Sequence, residues 1–180
     1  MHPAINPSLK TRRIVLTGFM GSGKSTVGPL VALRLDWRFI DTDDVIEAEA
    51  GMKIADIFSR NSEAAFRMRE QAIITRLSTE DGLVLALGGG AIESETTRTL
   101  LLNAPGTLLI HLEVELTTTM VRCGGTEGTR PVLADRVNLD ARYARRLPLY
   151  RTAHLSIAVD TLTLDQSVDA FVDAAGLPAR

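Results

Sequence analysis

Residues 18–25, Gly18-Phe19-Met20-Gly21-Ser22-Gly23-Lys24-Ser25, fit the pattern G-x-x-x-x-G-K-[ST]. The segment follows the apolar run Ile14-Val15-Leu16 and precedes apolar positions at helical spacing, Val27, Leu30 and Val31. A strand that turns through glycines into a helix aims successive backbone N–H groups at one point, and the helix adds its positive end there. That point suits phosphate. Lys24 is placed to reach the β- and γ-phosphates of a nucleotide, and the Ser25 hydroxyl to ligate Mg²⁺. The pattern leaves the phosphoryl acceptor open, since GTPases, ATPases and small-molecule kinases share it. Pro29 falls inside the following helix and cannot donate toward the Ser25 carbonyl, so a local kink is expected there.

Four further apolar runs read as strands: Arg38-Phe39-Ile40, Leu83 to Leu87, Leu108 to Ile110 and Leu155 to Val159. The runs at 14–16, 83–87 and 108–110 are continuous instead of alternating, as in strands covered on both faces of a parallel sheet. Helical stretches separate the five, which predicts a doubly wound α/β layer. Ligands of such layers sit at the carboxyl ends of the strands. Residues 18–24, 41–43 and 88–90 each follow a strand, so all three should meet at one edge.

Several candidates for the acceptor side lie there. Asp41 and Asp43 stand two apart after the second strand; in extended backbone they point the same way, one toward a metal and one toward a substrate hydroxyl. Capping of the next helix is the competing role for them. Between Ser62 and Ser78 the chain reads as a helix with the inner stripe Phe66, Ile73 and Leu77, and Glu70 falls on that stripe. Arg67, three residues earlier, is positioned to pair with Glu70 and present its guanidinium to a small anion, although an ordinary surface pair has the same spacing. Gly88, Gly89 and Gly90 expose backbone to a ligand, or simply make a flexible turn.

Charge is distributed unevenly within a near-neutral whole. The 180 residues carry a formal net charge of −2 and are 45% apolar, which suits one packed domain and argues against a coat for nucleic acid or anionic membrane. Residues 36–50 hold six acids against Arg38, whereas residues 122–151 hold seven arginines against three acids. The stretch from Arg122 to Pro131 is rich in Gly and Thr and reads as a closing loop carrying Arg130, or as a solvated surface loop. Arg142, Arg145 and Arg146 lie on a helical segment ending near Pro148, at least one of them on a solvated face. His111 and His154 read as ordinary satisfied histidines. Cys123, the single cysteine, excludes an intramolecular disulfide and reads as an incidental thiol in a reduced compartment. No apolar stretch of signal-peptide or membrane-spanning length occurs, so a cytoplasmic protein is expected.

Six segments together carry a resemblance. Gly18 to Thr26, Asp41-Thr42-Asp43, Glu63 to Glu70, Leu87 to Gly90, Arg130-Pro131-Val132-Leu133 and Arg146 to Tyr150 follow the order and spacing of shikimate kinases, from about Arg13 to Val172. The resemblance implies an α/β fold of the P-loop kinase type, a three-layer α/β/α arrangement about a central five-stranded parallel sheet. Residues 1–12, with Pro3 and Pro7 and no apolar stretch, read as a flexible lead, and residues 13–180 as a single domain with a lid at about 122–136. The implied reaction moves the γ-phosphoryl of ATP, carried with Mg²⁺, to the 3-hydroxyl of shikimate, in a monomer without nucleic-acid or membrane partners. By position, Gly21, Ser22, Gly23, Lys24, Ser25 and Thr26 would hold the nucleotide, with Arg122 against adenine and Arg130 on the phosphates. Asp41 would hold Mg²⁺ through water beside Ser25, and Asp43 would bind the acceptor hydroxyl and act as, or assist, its base. Arg67 and Arg146 would clamp the shikimate carboxylate. Gly88, Gly89 and Gly90 would contact substrate through backbone, Glu70 would orient Arg67 or a hydroxyl, and Phe58 and Phe66 would wall the pocket.

Overall fold

The computed structural model describes residues 10–60, 62–123 and 136–176. Five strands form one parallel sheet: β1 (Arg13–Thr17), β2 (Arg38–Asp41), β3 (Leu83–Ala86), β4 (Thr107–Glu113) and β5 (Leu155–Ala158). All five match the apolar runs of the sequence. Their spatial order is β2-β3-β1-β4-β5, with Leu16 in register with both Ala86 and Ile110. The chain therefore leaves β1 in one direction and β3 in the other, so the turns after these two neighbouring strands flank the switch point where α/β sheets bind ligands.

Helices cover both faces. On one, α1 (Lys24–Leu35) packs against α8 (Leu164–Ala175), and Val27, Val31, Phe171 and Val172 close over Ile14, Leu16 and Ile110. On the other, α2 (Thr42–Ala50), α3 (Ile54–Arg60), α4 (Glu63–Leu77), α5 (Glu95–Asn103) and α7 (Arg136–Tyr150) enclose Val15, Leu85 and Leu109. The remaining helix, α6 (Leu116–Cys123), follows β4. Arg13 is buried at the amino end of β1, where the Glu80 and Pro105 carbonyls, Thr107 and Asp81 satisfy its guanidinium.

Three local features differ from the sequence reading. Helix α1 runs continuously through Pro29, whose missing N–H leaves out a single bond near the helix start. Helix α7 likewise continues past Pro148 to Tyr150, since Arg151 N–H still reaches the Leu147 carbonyl at 3.1 Å. The Asp41-Thr42-Asp43 segment is not extended throughout. Asp41 is the N-cap of α2 and accepts from the Asp43 N–H at 3.0 Å, so Asp43 already stands on the first helical turn.

Candidate active site

The phosphate loop occupies the carboxyl end of β1. Gly21 and Gly23 take positive φ values of 72° and 94°, a backbone region that side-chain-bearing residues rarely enter, and Gly23 opens α1 as its N-cap. Lys24 Nζ bends back over the loop and donates to the Gly18 and Phe19 carbonyls at 2.9 and 3.2 Å. Ser25 and Thr26 are exposed at its mouth. The Ser25 hydroxyl donates to Asp41 Oδ2 at 2.8 Å, so this carboxylate caps α2 with one oxygen and holds the Ser25 hydroxyl with the other.

A cleft of about 800 Å³ opens above the loop, lined among others by Gly21 to Val27, Asp41, Asp43, Gly89, Gly90, Arg122 and Arg146. Its far side is built on the triple glycine after β3. A Cβ placed on Gly88 would fall 2.6 Å from Asp43 Oδ1 and 2.9 Å from Glu70 Oε1. One placed on Gly90 would fall 2.5 Å from Arg67 Nη2, and one on Gly89 would lie 3.8 Å from both Arg146 Nη1 and the Tyr150 hydroxyl. Five side chains from three helices thus converge on a turn that has none of its own.

Glu70, on the inner stripe of α4, is buried and pairs with Arg67 at 2.7 Å, the partly buried ion pair that the spacing suggested. Its other oxygen, Oε1, has no hydrogen-bond partner among the described residues. Burial raises the Glu70 carboxyl against the opposing pull of Arg67. Asp43 is pushed up to about 6, first by burial and then by the neighbouring Asp41 and Glu70 charges, with Lys24 opposing. A carboxylate so placed holds a proton more readily than a solvated one.

Other expectations change in detail. Gly88 does not line the cleft; its N–H donates to the buried Thr42 hydroxyl at 2.9 Å and its carbonyl accepts from Ala91, so its backbone is already bonded. Its contribution is the space left for Asp43 and Glu70. Phe58 and Phe66, like Arg67 and Glu70, stand behind the residues that line the cleft; their ring centroids are 4.7 Å apart, and Arg67 lies over the Phe66 ring at 5.1 Å. Arg122 reaches the Gly21 and Val159 carbonyls at 3.4 and 3.5 Å, on the rim of the loop. Arg130 and most of the expected lid lie outside the described residues. Cys123 is buried against Gly21. His154 accepts from the Leu109 N–H and donates to the Leu102 carbonyl, and His111, held at about 4 by burial, stacks on Tyr150; both are satisfied structural histidines.

Two contributors escaped the sequence reading. Tyr150, fully buried, donates to the Gly89 carbonyl at 2.6 Å and thereby fixes the glycine turn. Glu93 accepts from both Arg145 and Arg146. The available signal was the arginine doublet itself, because a guanidinium destined for burial needs a carboxylate.

A phosphate loop and a cluster of acids and arginines facing one cleft define a P-loop kinase acting on a small acceptor. The family model described as shikimate kinase matches residues 20–175. The chain belongs to the shikimate kinase family. A shikimate kinase of Salinibacter ruber is 38% identical over 159 residues, covering 82% of this chain and 77% of the relative. Another, from Persephonella marina, is 41% identical over 151 residues and covers 83% and 90%. The solved shikimate kinase from Acinetobacter baumannii, in complex with shikimate, is 31% identical with a TM-score of 0.84 over 91% of this chain and 92% of that one.

Proposed function

We propose that this cleft transfers the γ-phosphoryl of ATP to the 3-hydroxyl of shikimate, giving shikimate 3-phosphate and ADP, a step toward chorismate and the aromatic amino acids. The observation that carries the reading is the gathering of Asp43, Glu70, Arg67 and Arg146 around Gly88 to Gly90, beside the loop that presents Lys24 and Ser25. Shikimate has a carboxylate at one end and hydroxyls at the other. Arg67 and Arg146 take the carboxylate, Asp43 takes the 3-hydroxyl, and the unpaired Glu70 Oε1 is a buried acceptor suited to an O–H donor. The hydroxyl oxygen bonds to the γ-phosphorus as the bond to the β,γ-bridging oxygen breaks; the hydroxyl proton passes toward Asp43, and ADP leaves. Proton removal is late in a loose transition state, so orientation by Asp43 matters as much as its basicity.

Ser25 and Asp41 are hard-oxygen donors that fit Mg²⁺, and the cation would neutralise charge on the phosphate oxygens. Among the described residues no group of three or more Asp, Glu, His or Cys side chains could hold a metal ion. For the reaction Lys24 must release the loop carbonyls and turn to the phosphates. By chain position we assign Arg130, in a lid over 122–136, to charge stabilisation and water exclusion, and Arg122 to adenine. The same reading makes residues 13–180 one domain, working as a cytoplasmic monomer; no described helix is long and apolar enough to cross a membrane.

Release of ADP from Mg-ATP, followed with and without shikimate, tests the reading. Turnover should depend on shikimate, with little hydrolysis in its absence. Phosphorylation of gluconate but not shikimate would overturn it. Asp43→Ala should abolish transfer while nucleotide still binds.

A further inference from the structure

Glu93 has no task in the assignment above, yet the fold holds it firmly. It ends the 3₁₀ turn Ala91–Glu93 that leaves the triple glycine, its N–H donating to the Gly90 carbonyl at 3.0 Å. Arg98 donates to the Ile92 and Glu93 carbonyls at 2.6 and 3.1 Å and so locks the exit of the turn. Both carboxylate oxygens are in use. Oε1 accepts from Arg145 Nε at 2.8 Å, and Oε2 accepts from Arg146 Nε and Nη2 at 3.0 and 2.7 Å. The Arg146 side chain is only 11% exposed, so this pair is shielded from solvent on the arginine side.

Which edge of the guanidinium is engaged decides the consequence. Glu93 takes the Nε and Nη2 edge, and of the guanidinium atoms it is Nη1 that lies 3.8 Å from where a Cβ on Gly89 would stand, at the same distance as the Tyr150 hydroxyl, on the cleft wall that Arg146 and Gly89 share. A guanidinium has five N–H donors in a rigid fork, so a carboxylate on one edge directs the others without exhausting them. We propose that Glu93 is a positioning residue for the acceptor's carboxylate: by holding the Nε–Nη2 edge of Arg146 it turns Nη1 into the cleft beside Gly89. A competitor role, in which Glu93 must let go before substrate binds, is disfavoured because Nη1 stands clear of it. The inference rests on the assignment of Arg146 to the shikimate carboxylate.

Steady-state kinetics of the full chain test it. Glu93→Ala should raise the shikimate KM roughly tenfold, the size of one misdirected charge-assisted hydrogen bond, with kcat and the ATP KM within about twofold. Glu93→Gln, which keeps an acceptor for the Nε–Nη2 edge, should recover most of that loss. Shikimate methyl ester, which lacks the carboxylate charge, should be used with the same kcat/KM by the wild type and Glu93→Ala. An unchanged or lowered shikimate KM in Glu93→Ala overturns the proposal, as does an equal penalty on the ester. Should the alanine variant fail to fold, Glu93→Asp carries the test: a KM raised about threefold or more supports the proposal, and an unchanged KM overturns it. Arg146→Ala separates the two readings. An unchanged KM there removes the Arg146 assignment and this inference with it, whereas a raised KM there with none in Glu93→Ala removes the inference alone.

Discussion

Asp43 sits where burial and two acidic neighbours oppose its charge, and the pH dependence follows from that placement. Its acid form is favoured up to about 6, so kcat/KM for shikimate should fall on acidification through pH 6, about tenfold per pH unit below it. A profile flat down to pH 5 would remove the carboxylate from the rate-determining chemistry. The same shift has a stability sign. An Asp raised from its ordinary 3.8 to about 6 favours the fold when protonated; this contribution is fully present below about 4 and is lost as pH rises through 6. At pH 7 the charged group therefore disfavours the fold by on the order of 3 kcal/mol. Asp43→Asn should accordingly melt a few degrees higher at pH 7 and lose most of its turnover, with the melting advantage shrinking toward pH 4. None of this was legible in an Asp-x-Asp spacing, which extended geometry turned into parallel side chains. The cap made by Asp41 rotated Asp43 onto a helix.

Glycines set how closely the elements approach. At Gly28, α1 lies on the ring of Phe39 from β2: an added Cβ would fall inside contact distance of Cε2 and 2.9 Å from Cδ2. Alanine there gains up to about 1 kcal/mol of helix propensity but forces an aromatic ring out of a packed layer, which costs about 1–3 kcal/mol. Overpacking wins, so Gly28→Ala should lower the urea midpoint. Gly90→Ala is different, because the nearest atoms its added Cβ meets are those of the Arg67 guanidinium, the far end of a long side chain. That variant should keep its melting temperature within a few degrees and show a raised shikimate KM; a lost fold with normal KM would place the glycine's role in the backbone instead. Strand and helix identities were readable from apolar runs and periodicity. Element ends were not, as Pro148 inside α7 shows, since one missing donor near a helix end is tolerated once the helix is packed.

At the scale of the molecule, parallel pairing of β1 with β3 brings the phosphate loop and the glycine turn to one sheet edge, where residues of both line one cleft. A non-hydrolysable ATP analogue and shikimate, each at about 100 times its Kd, should separately add about 2.7 kcal/mol of stability and raise Tm by roughly 5–10 °C. No shift with shikimate would detach the acid site from the fold. Local chemistry written within a few residues was complete in the sequence: the glycine-rich phosphate loop, the five strands, the Arg67–Glu70 pair three residues apart, and the family itself. Geometry between distant segments was decided by packing. Thr42 occupying the Gly88 N–H, Tyr150 gripping the Gly89 carbonyl and Glu93 directing Arg146 join residues 46, 61 and 53 positions apart. Short-range patterns report the torsions and periodicities of one chain segment, whereas a hydrogen bond across the sheet edge exists only after strand order and helix placement have brought its two ends together.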